Sequence, residues 1–133
     1  MTGGCLAERL ILVVEDEPLV ALEVQMALRE AGARVVAASY VETALCSTEH
    51  PNLSAAVVDI RLGDGNGTAV CRRLRHLGVP FLMHTAYPPS DVATHWQDVP
   101  VIMKPANSGQ IVATLHSLLS HVSLPPPSAK QSS

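Results

Sequence analysis

Short, nearly unbroken apolar runs alternate along the chain with stretches in which apolar residues recur every three or four positions. The runs Leu10–Val14, Arg34–Ala38, Ala55–Asp59, Phe81–His84 and Val101–Met103 predict strands, because strands buried on both faces read as continuous apolar segments. Between them the period changes to that of a helix. The first helix opens at Pro18, which has no N–H to orphan in an opening turn, and ends near Gly32, a C-terminal signal. Its apolar residues Leu19, Leu22 and Met26, flanked by Val20 and Val24, make a broad stripe. A second helix covers 41–49 and stops at Pro51, and a third runs from about Thr68 to His76 and is closed by Gly78. A fourth, about 91–96, is short and poorly patterned. The fifth opens with Asn107 as N-cap and Gln110 three residues on, a capping-box arrangement, and carries Ile111, Leu115, Leu118 and Val122 as its stripe.

Five strands alternating with five helices predict an α/β fold, a parallel sheet with helices on both faces. Right-handed crossovers make it doubly wound. At 133 residues the chain can bury one core and not two. The expected division is a flexible N-terminus over 1–7, one domain over 8–122, and a disordered Pro/Ser-rich tail over 123–133, which leaves no room for an appended output domain.

Composition narrows the function classes. Apolar residues make up 47% and charged residues 16%, which excludes a disordered chain. With aromatics confined to Tyr40, Phe81, Tyr87 and Trp96, the core must be built from Val, Leu, Ile and Ala. A net charge of −3 without a dense basic block argues against nucleic acid as a partner. Arg72, Arg73 and Arg75 read as the solvated face of the third helix. No run is long enough to cross a membrane, and the N-terminus lacks the basic-then-apolar pattern of a secretion signal. Cys5, Cys46 and Cys71 are widely spaced and odd in number, as expected of reduced cytoplasmic thiols. Cys46 and Cys71 read as small buried hydrophobes. The six histidines have no i,i+4 pair and no cysteine companions, which argues against zinc.

The candidate chemistry lies at the strand ends. In an open doubly wound sheet, ligands bind outside the carboxyl ends of the strands. There the sequence delivers Glu15 and Asp16 after the first strand, Asp59 at the end of the third, Thr85 after the fourth, and Lys104 followed by Pro105 after the fifth. Carboxylates crowded in this way repel one another unless a hard divalent cation sits among them, and Mg²⁺ binds through one or two carboxylates together with phosphate oxygens. Asp59 is then placed to act as a nucleophile toward a phosphoryl group, with metal and lysine neutralising the oxygens. Glu17 reads as helix N-terminal charge. The glycine-rich GDGNG lacks the Lys-Ser/Thr of a P-loop and the ligand spacing of an EF-hand, and reads as a flexible turn.

This set, Glu15-Asp16, Asp59, Thr85 and Lys104-Pro105 in this order, resembles the response-regulator receiver domain of bacterial two-component signalling over about residues 8–122. The resemblance implies a flavodoxin-like (CheY-like) five-stranded sheet of order 2-1-3-4-5 and phosphoryl transfer from a histidine kinase to Asp59. It further implies direct Mg²⁺ ligation by Asp16, Asp59 and the backbone carbonyl of Arg61, with Glu15 acting through a water and Mn²⁺ able to substitute. Thr85, the backbone N–H of Ala86 and Lys104 would take the phosphoryl oxygens, and Lys104–Pro105 would be a cis peptide. The remaining implied partner is an unknown downstream protein.

Departures from the family pattern matter as much. Three residues before the lysine, where many receivers carry a Tyr or Phe that reports phosphorylation, this chain has Val101. The stretch from Thr85 to Lys104 is short, and IRLGDGNG replaces the common loop after the phosphoacceptor. With VPFLMHTAYPP, this is similar to an atypical and often stand-alone group of receivers in which Ala86 takes a glycine's place and Tyr87 keeps the aromatic. Arg61 is a candidate for gating access to the site, and Tyr87 for shielding it from water. The expected function is a single-domain response regulator that signals through protein binding. A phosphate sink or constitutive adaptor is the alternative. An aspartate-nucleophile phosphatase of the haloacid dehalogenase type would need a second Asp where Arg61 stands.

Overall fold

The computed structural model of the protein describes residues 4–63, 65–86 and 95–122. Its elements in chain order are β1 (Leu10–Val14), α1 (Pro18–Glu30), β2 (Arg34–Ala38), α2 (Val41–Ser47), β3 (Ala55–Val58), β4 (Arg61–Leu62), β5 (Gly65–Asn66), α3 (Thr68–Leu77), β6 (Phe81–Thr85), β7 (Val101–Met103) and α4 (Ser108–Val122). The main sheet has the order β2-β1-β3-β6-β7 and all its pairings are parallel. This is the expected 2-1-3-4-5 order, with β6 and β7 as its fourth and fifth strands. The stretch expected as a short fourth helix, like Tyr87 and the tail over 123–133, lies largely or wholly outside the described residues.

The unbroken apolar runs conceal the alternation that builds two cores. Along β1 and β3, Leu12, Val14, Ala56 and Val58 face one side, where they meet Ala44 of α2, Val70, Cys71 and Leu74 of α3, Met83 and Trp96. Ile11, Val13 and Val57 face the other, together with Leu82, Ile102, Val24 and Leu28 of α1, and Ile111, Leu115 and Leu119 of α4. Both faces of the central strands are therefore dry, and apolar burial at ~25 cal/mol per Å² supplies most of the drive to fold.

The packing differs from expectation in four places. On α1 the inward residues are Val24 and Leu28, with Val20 half-buried, whereas Leu19, Leu22 and Met26 are 81%, 51% and 52% exposed. Two apolar rows run along this helix, and the 4-4 row of Val20, Val24 and Leu28 packs on the sheet. On α4 the inner row is Ile111, Leu115 and Leu119, with Leu118 half-buried beside it. Cys46 is exposed, because α2 presents Ala44 to the core, while Cys71 is buried as expected and burial pushes its thiol up to about 12. At the N-terminus, Leu6 is fully buried and donates its backbone N–H to Ala31 O at 2.9 Å. Packing thus begins ahead of the boundary placed at residue 8.

Residues after Asp59 form a small antiparallel hairpin, β4–β5, rather than the turn read from GDGNG. The hairpin returns at Gly67, whose N–H donates to Ile60 O at 2.7 Å. A Cβ there would lie 2.4 Å from Asp59 O, closer than atoms pack, so glycine is what lets α3 start against the end of β3.

One polar side chain in the core has a thermodynamic signature. His84 of β6 is 4% exposed, and its Nε2 has no hydrogen-bond partner among the described residues. Burial, aided by the Lys104 charge, pushes its pKa below the ordinary imidazole value, against the pull of Asp59, Glu17 and Glu23. With the folded value depressed, the unfolded chain binds the extra proton first, so this residue's contribution to stability is lost as pH falls through about 6.5. The stability of the wild type relative to His84→Leu, measured by chemical denaturation between pH 8 and pH 5, should fall as pH falls. An unchanged slope in the variant would contradict this assignment.

Candidate functional site

The sheet's carboxyl edge is held by a hydrogen-bond ladder that runs one residue past its strands. The N–H of Glu15 donates to Ala38 O at 3.0 Å, that of Asp59 to Val14 O at 2.9 Å, and that of Lys104 to Thr85 O at 3.0 Å. The residues after the last apolar position of β1, β3 and β7 are thereby fixed as firmly as the strands. Glu17 occupies the N-cap of α1, ahead of Pro18, and the Lys104–Pro105 bond is cis.

These residues meet at one ammonium. Lys104 Nζ lies 2.9 Å from the Glu15 carboxylate, 2.9 Å from Asp59 Oδ2 and 2.8 Å from Glu17 Oε1. An ammonium has three donors, and all three are used on carboxylates. Two backbone donors complete the arrangement, Arg61 N–H to Asp59 Oδ1 at 3.1 Å and Glu17 N–H to Glu15 Oε2 at 3.2 Å. Glu15 and Asp59 are each 4% exposed, so the geometry is nearly dry. Burial pushes the Glu15 carboxyl up to about 7, with the Asp59 charge adding to the effect and Lys104 opposing it. Burial disfavours the charged form of Lys104, but its three carboxylates outweigh that and hold it protonated well above the ordinary lysine range.

In front of Asp59 opens a cavity of about 430 Å³ lined by Asp16, Glu17, Asp59, Arg61, Thr85, Ala86 and Lys104. Five strand-end residues expected to share a site, Asp16, Asp59, Thr85, Ala86 and Lys104, do line one space. Thr85 is fully buried at its back and Ala86 is exposed at its lip. Arg61 stands exposed on β4 at its side. Val101 is set apart from this group. It is half-buried opposite Met83 and packs against the core on the α2/α3 side.

Glu17 is the site residue that the pattern missed. Among the described residues, Glu15, Glu17 and Asp59 bring carboxylate oxygens within 4.8 Å of one another, while Asp16 approaches from the cavity wall. Read as helix charge, Glu17 has a second role as a partner of Lys104, and the only signal for it in the sequence is the third consecutive acid. Four carboxylates against one ammonium leave a surplus of negative charge on an all-oxygen donor set. That fits a hard divalent cation such as Mg²⁺.

Comparison with known proteins gives a consistent picture. The model of the response regulator receiver domain matches residues 11–116. The probable transcriptional regulatory protein TcrX of Mycobacterium tuberculosis is 36% identical over 78 residues, which are 57% of this chain and 33% of that protein. The chain thus matches about a third of that relative's length. Among solved structures, a response regulator receiver protein from Sinorhizobium medicae WSM419 superimposes with TM-score 0.77 at 25% identity, covering 84% of this chain and 94% of that one. The receiver domain of sensor histidine kinase PA1611 from Pseudomonas aeruginosa PAO1 superimposes with TM-score 0.73 at 26% identity, covering 86% and 99%. That structure carries a magnesium ion coordinated in its active site cleft. The family match spans most of the chain, on a sheet of the order and edge described above, and the protein therefore belongs to the response regulator receiver domain family.

Proposed function

We propose that this chain accepts a phosphoryl group on Asp59 in a Mg²⁺-dependent reaction and passes its state on by binding another protein. The observation that carries the reading is the placement of Asp59, a buried carboxylate held by Lys104 Nζ and the Arg61 N–H at the floor of an open acidic cavity. A carboxylate oxygen of Asp59 attacks phosphorus. The O–P bond forms as the bond to the donor's imidazole nitrogen or acyl oxygen breaks, and the departing group keeps that electron pair. Lys104 follows the new negative charge, and Thr85 with the Ala86 N–H takes the outer oxygens. Glu15, Asp16, Asp59 and the Arg61 carbonyl are the groups that would hold or surround the metal. When bound, Mg²⁺ would supply neutralisation of the phosphoryl oxygens.

The donor we propose is a histidine kinase, docked along the row that α1 leaves uncovered. Leu19, Leu22 and Met26 lie at i, i+3 and i+7, the spacing at which one helix meets another. Leu19 is two residues from Glu17, so a helix laid there has its reactive side chain within reach of the cavity.

Two measurements test this reading. Incubation with acetyl phosphate and Mg²⁺ should give a single acid-labile phosphoryl adduct by intact mass, absent from Asp59→Asn; equal labelling of that variant would overturn the assignment. Leu22→Glu should cut transfer from a phosphorylated histidine kinase about tenfold or more, the scale of an interface hot spot, while leaving labelling by acetyl phosphate unchanged. Equal loss from both donors would move the effect off the docking row.

A further inference from the structure

Glu17 is unusual for a residue that opens a helix. It holds the N-cap of α1, a position that favours a side chain bonding the helix's first N–H groups, yet its carboxylate caps none of them. Oε1 instead accepts from Lys104 Nζ at 2.8 Å, and the residue lines the phosphoacceptor cavity. Its backbone is fixed independently of that bond. The N–H donates to Glu15 Oε2 at 3.2 Å, the carbonyl accepts from the Ala21 N–H at 2.9 Å, and Pro18 follows. The side chain can therefore leave the lysine without disturbing α1.

The three partners of Lys104 are not equal. The side chains of Glu15 and Asp59 are 3% and 5% exposed, and that of Glu17 is 61% exposed. Breaking the bond to a buried carboxylate strands a charge in a dry place, whereas Glu17 exchanges the ammonium for water at small cost. Its carboxylate oxygen also lies within 4.8 Å of those of Glu15 and Asp59, so its charge stands close to any group that Asp59 carries. We infer that Glu17 is a positioning residue that competes with a phosphoryl group for Lys104 and so limits how readily Asp59 takes one up. The inference rests on the phosphoacceptor reading above. Modification of Asp59 replaces its single charge with roughly two on the phosphoryl oxygens. One donor of Lys104 follows that charge as Asp59 gives it up, and a second stays with buried Glu15. The third reaches the new oxygens only by leaving Glu17. Forming the modified state thus costs the Lys104–Glu17 ion pair and brings like charges together.

Beryllofluoride, which mimics a phosphoryl group on a carboxylate, tests this on the full chain at saturating Mg²⁺, followed by NMR. Glu17→Gln should bind the mimic about threefold more tightly than the wild type, the scale of one exposed ion pair. The same variant should bind Mg²⁺ alone about twofold more weakly, because affinity for the cation follows the charge of the donor set. Loss of a residue that merely supported the local fold would weaken both. In the wild type, the Glu17 side-chain carboxyl signal should move on mimic binding toward that of a glutamate in water. Mimic binding that is equal or weaker in Glu17→Gln, a Mg²⁺ affinity that rises together with it, or a Glu17 signal that the mimic leaves in place would overturn the inference and leave the phosphoacceptor reading intact. A wild type that binds no mimic at all would overturn both.

Discussion

A single ammonium balancing three carboxylates is the constraint on which this edge of the molecule depends. Glu15 and Asp59 are buried to 4% exposure, and two buried carboxylates side by side are costly unless each is paired. Lys104 supplies that pairing from the far side of the sheet. It leaves β7, an edge strand, and its side chain returns past the ends of β6 and β3 to Glu15 at the end of β1. The contact is electrostatic in origin and structural in effect, because it ties the last strand to the middle of the sheet. Removing the lysine would strand two buried charges, which is the expensive way to break such a network.

The same arithmetic underlies the phosphoryl chemistry proposed for the site. Lys104 has no donor left once Glu15, Glu17 and Asp59 are satisfied, so it holds the acids apart without neutralising them. With Asp16 at the wall, a surplus of negative charge remains in a space open to solvent, which a divalent cation and an incoming phosphate can share. The hairpin after Asp59 closes one side of that space and places the Arg61 N–H on Asp59 Oδ1. Gly67 makes the arrangement possible by letting the returning chain approach the Asp59 carbonyl more closely than any side chain would permit. Local backbone and distant side chains thus act on the two oxygens of one carboxylate.

Much of this was legible in the residues alone, for physical reasons. The five strands were visible because strands buried on both faces must be apolar throughout; strand–helix alternation implied a parallel sheet, and its order came from the family resemblance. Asp59 and Lys104 stood out because a charge that ends such a strand needs a partner. What stayed hidden was what periodicity leaves undetermined. Helix α1 carries two apolar rows, and only packing chooses Val24 and Leu28 over Leu19, Leu22 and Met26. Glu17 looked like helix charge because its bond to Lys104 spans 87 positions in sequence, and no local rule reports that. The β4–β5 hairpin was taken for a turn because two-residue strands have no apolar pattern to show. The unpaired nitrogen of His84 could not be read from sequence at all, since it is a statement about neighbours.

The central claim is that burial and charge crowding, relieved by one shared lysine, set the protonation of this edge. Its most direct test is a pH titration of the Glu15 side-chain carboxyl by ¹³C NMR, run with and without Mg²⁺. Without metal the midpoint should lie near 7, and with Mg²⁺ it should move down, because a divalent cation favours the ionised form. A metal-free midpoint in the ordinary carboxylate range, or one that Mg²⁺ leaves unmoved, would contradict the account.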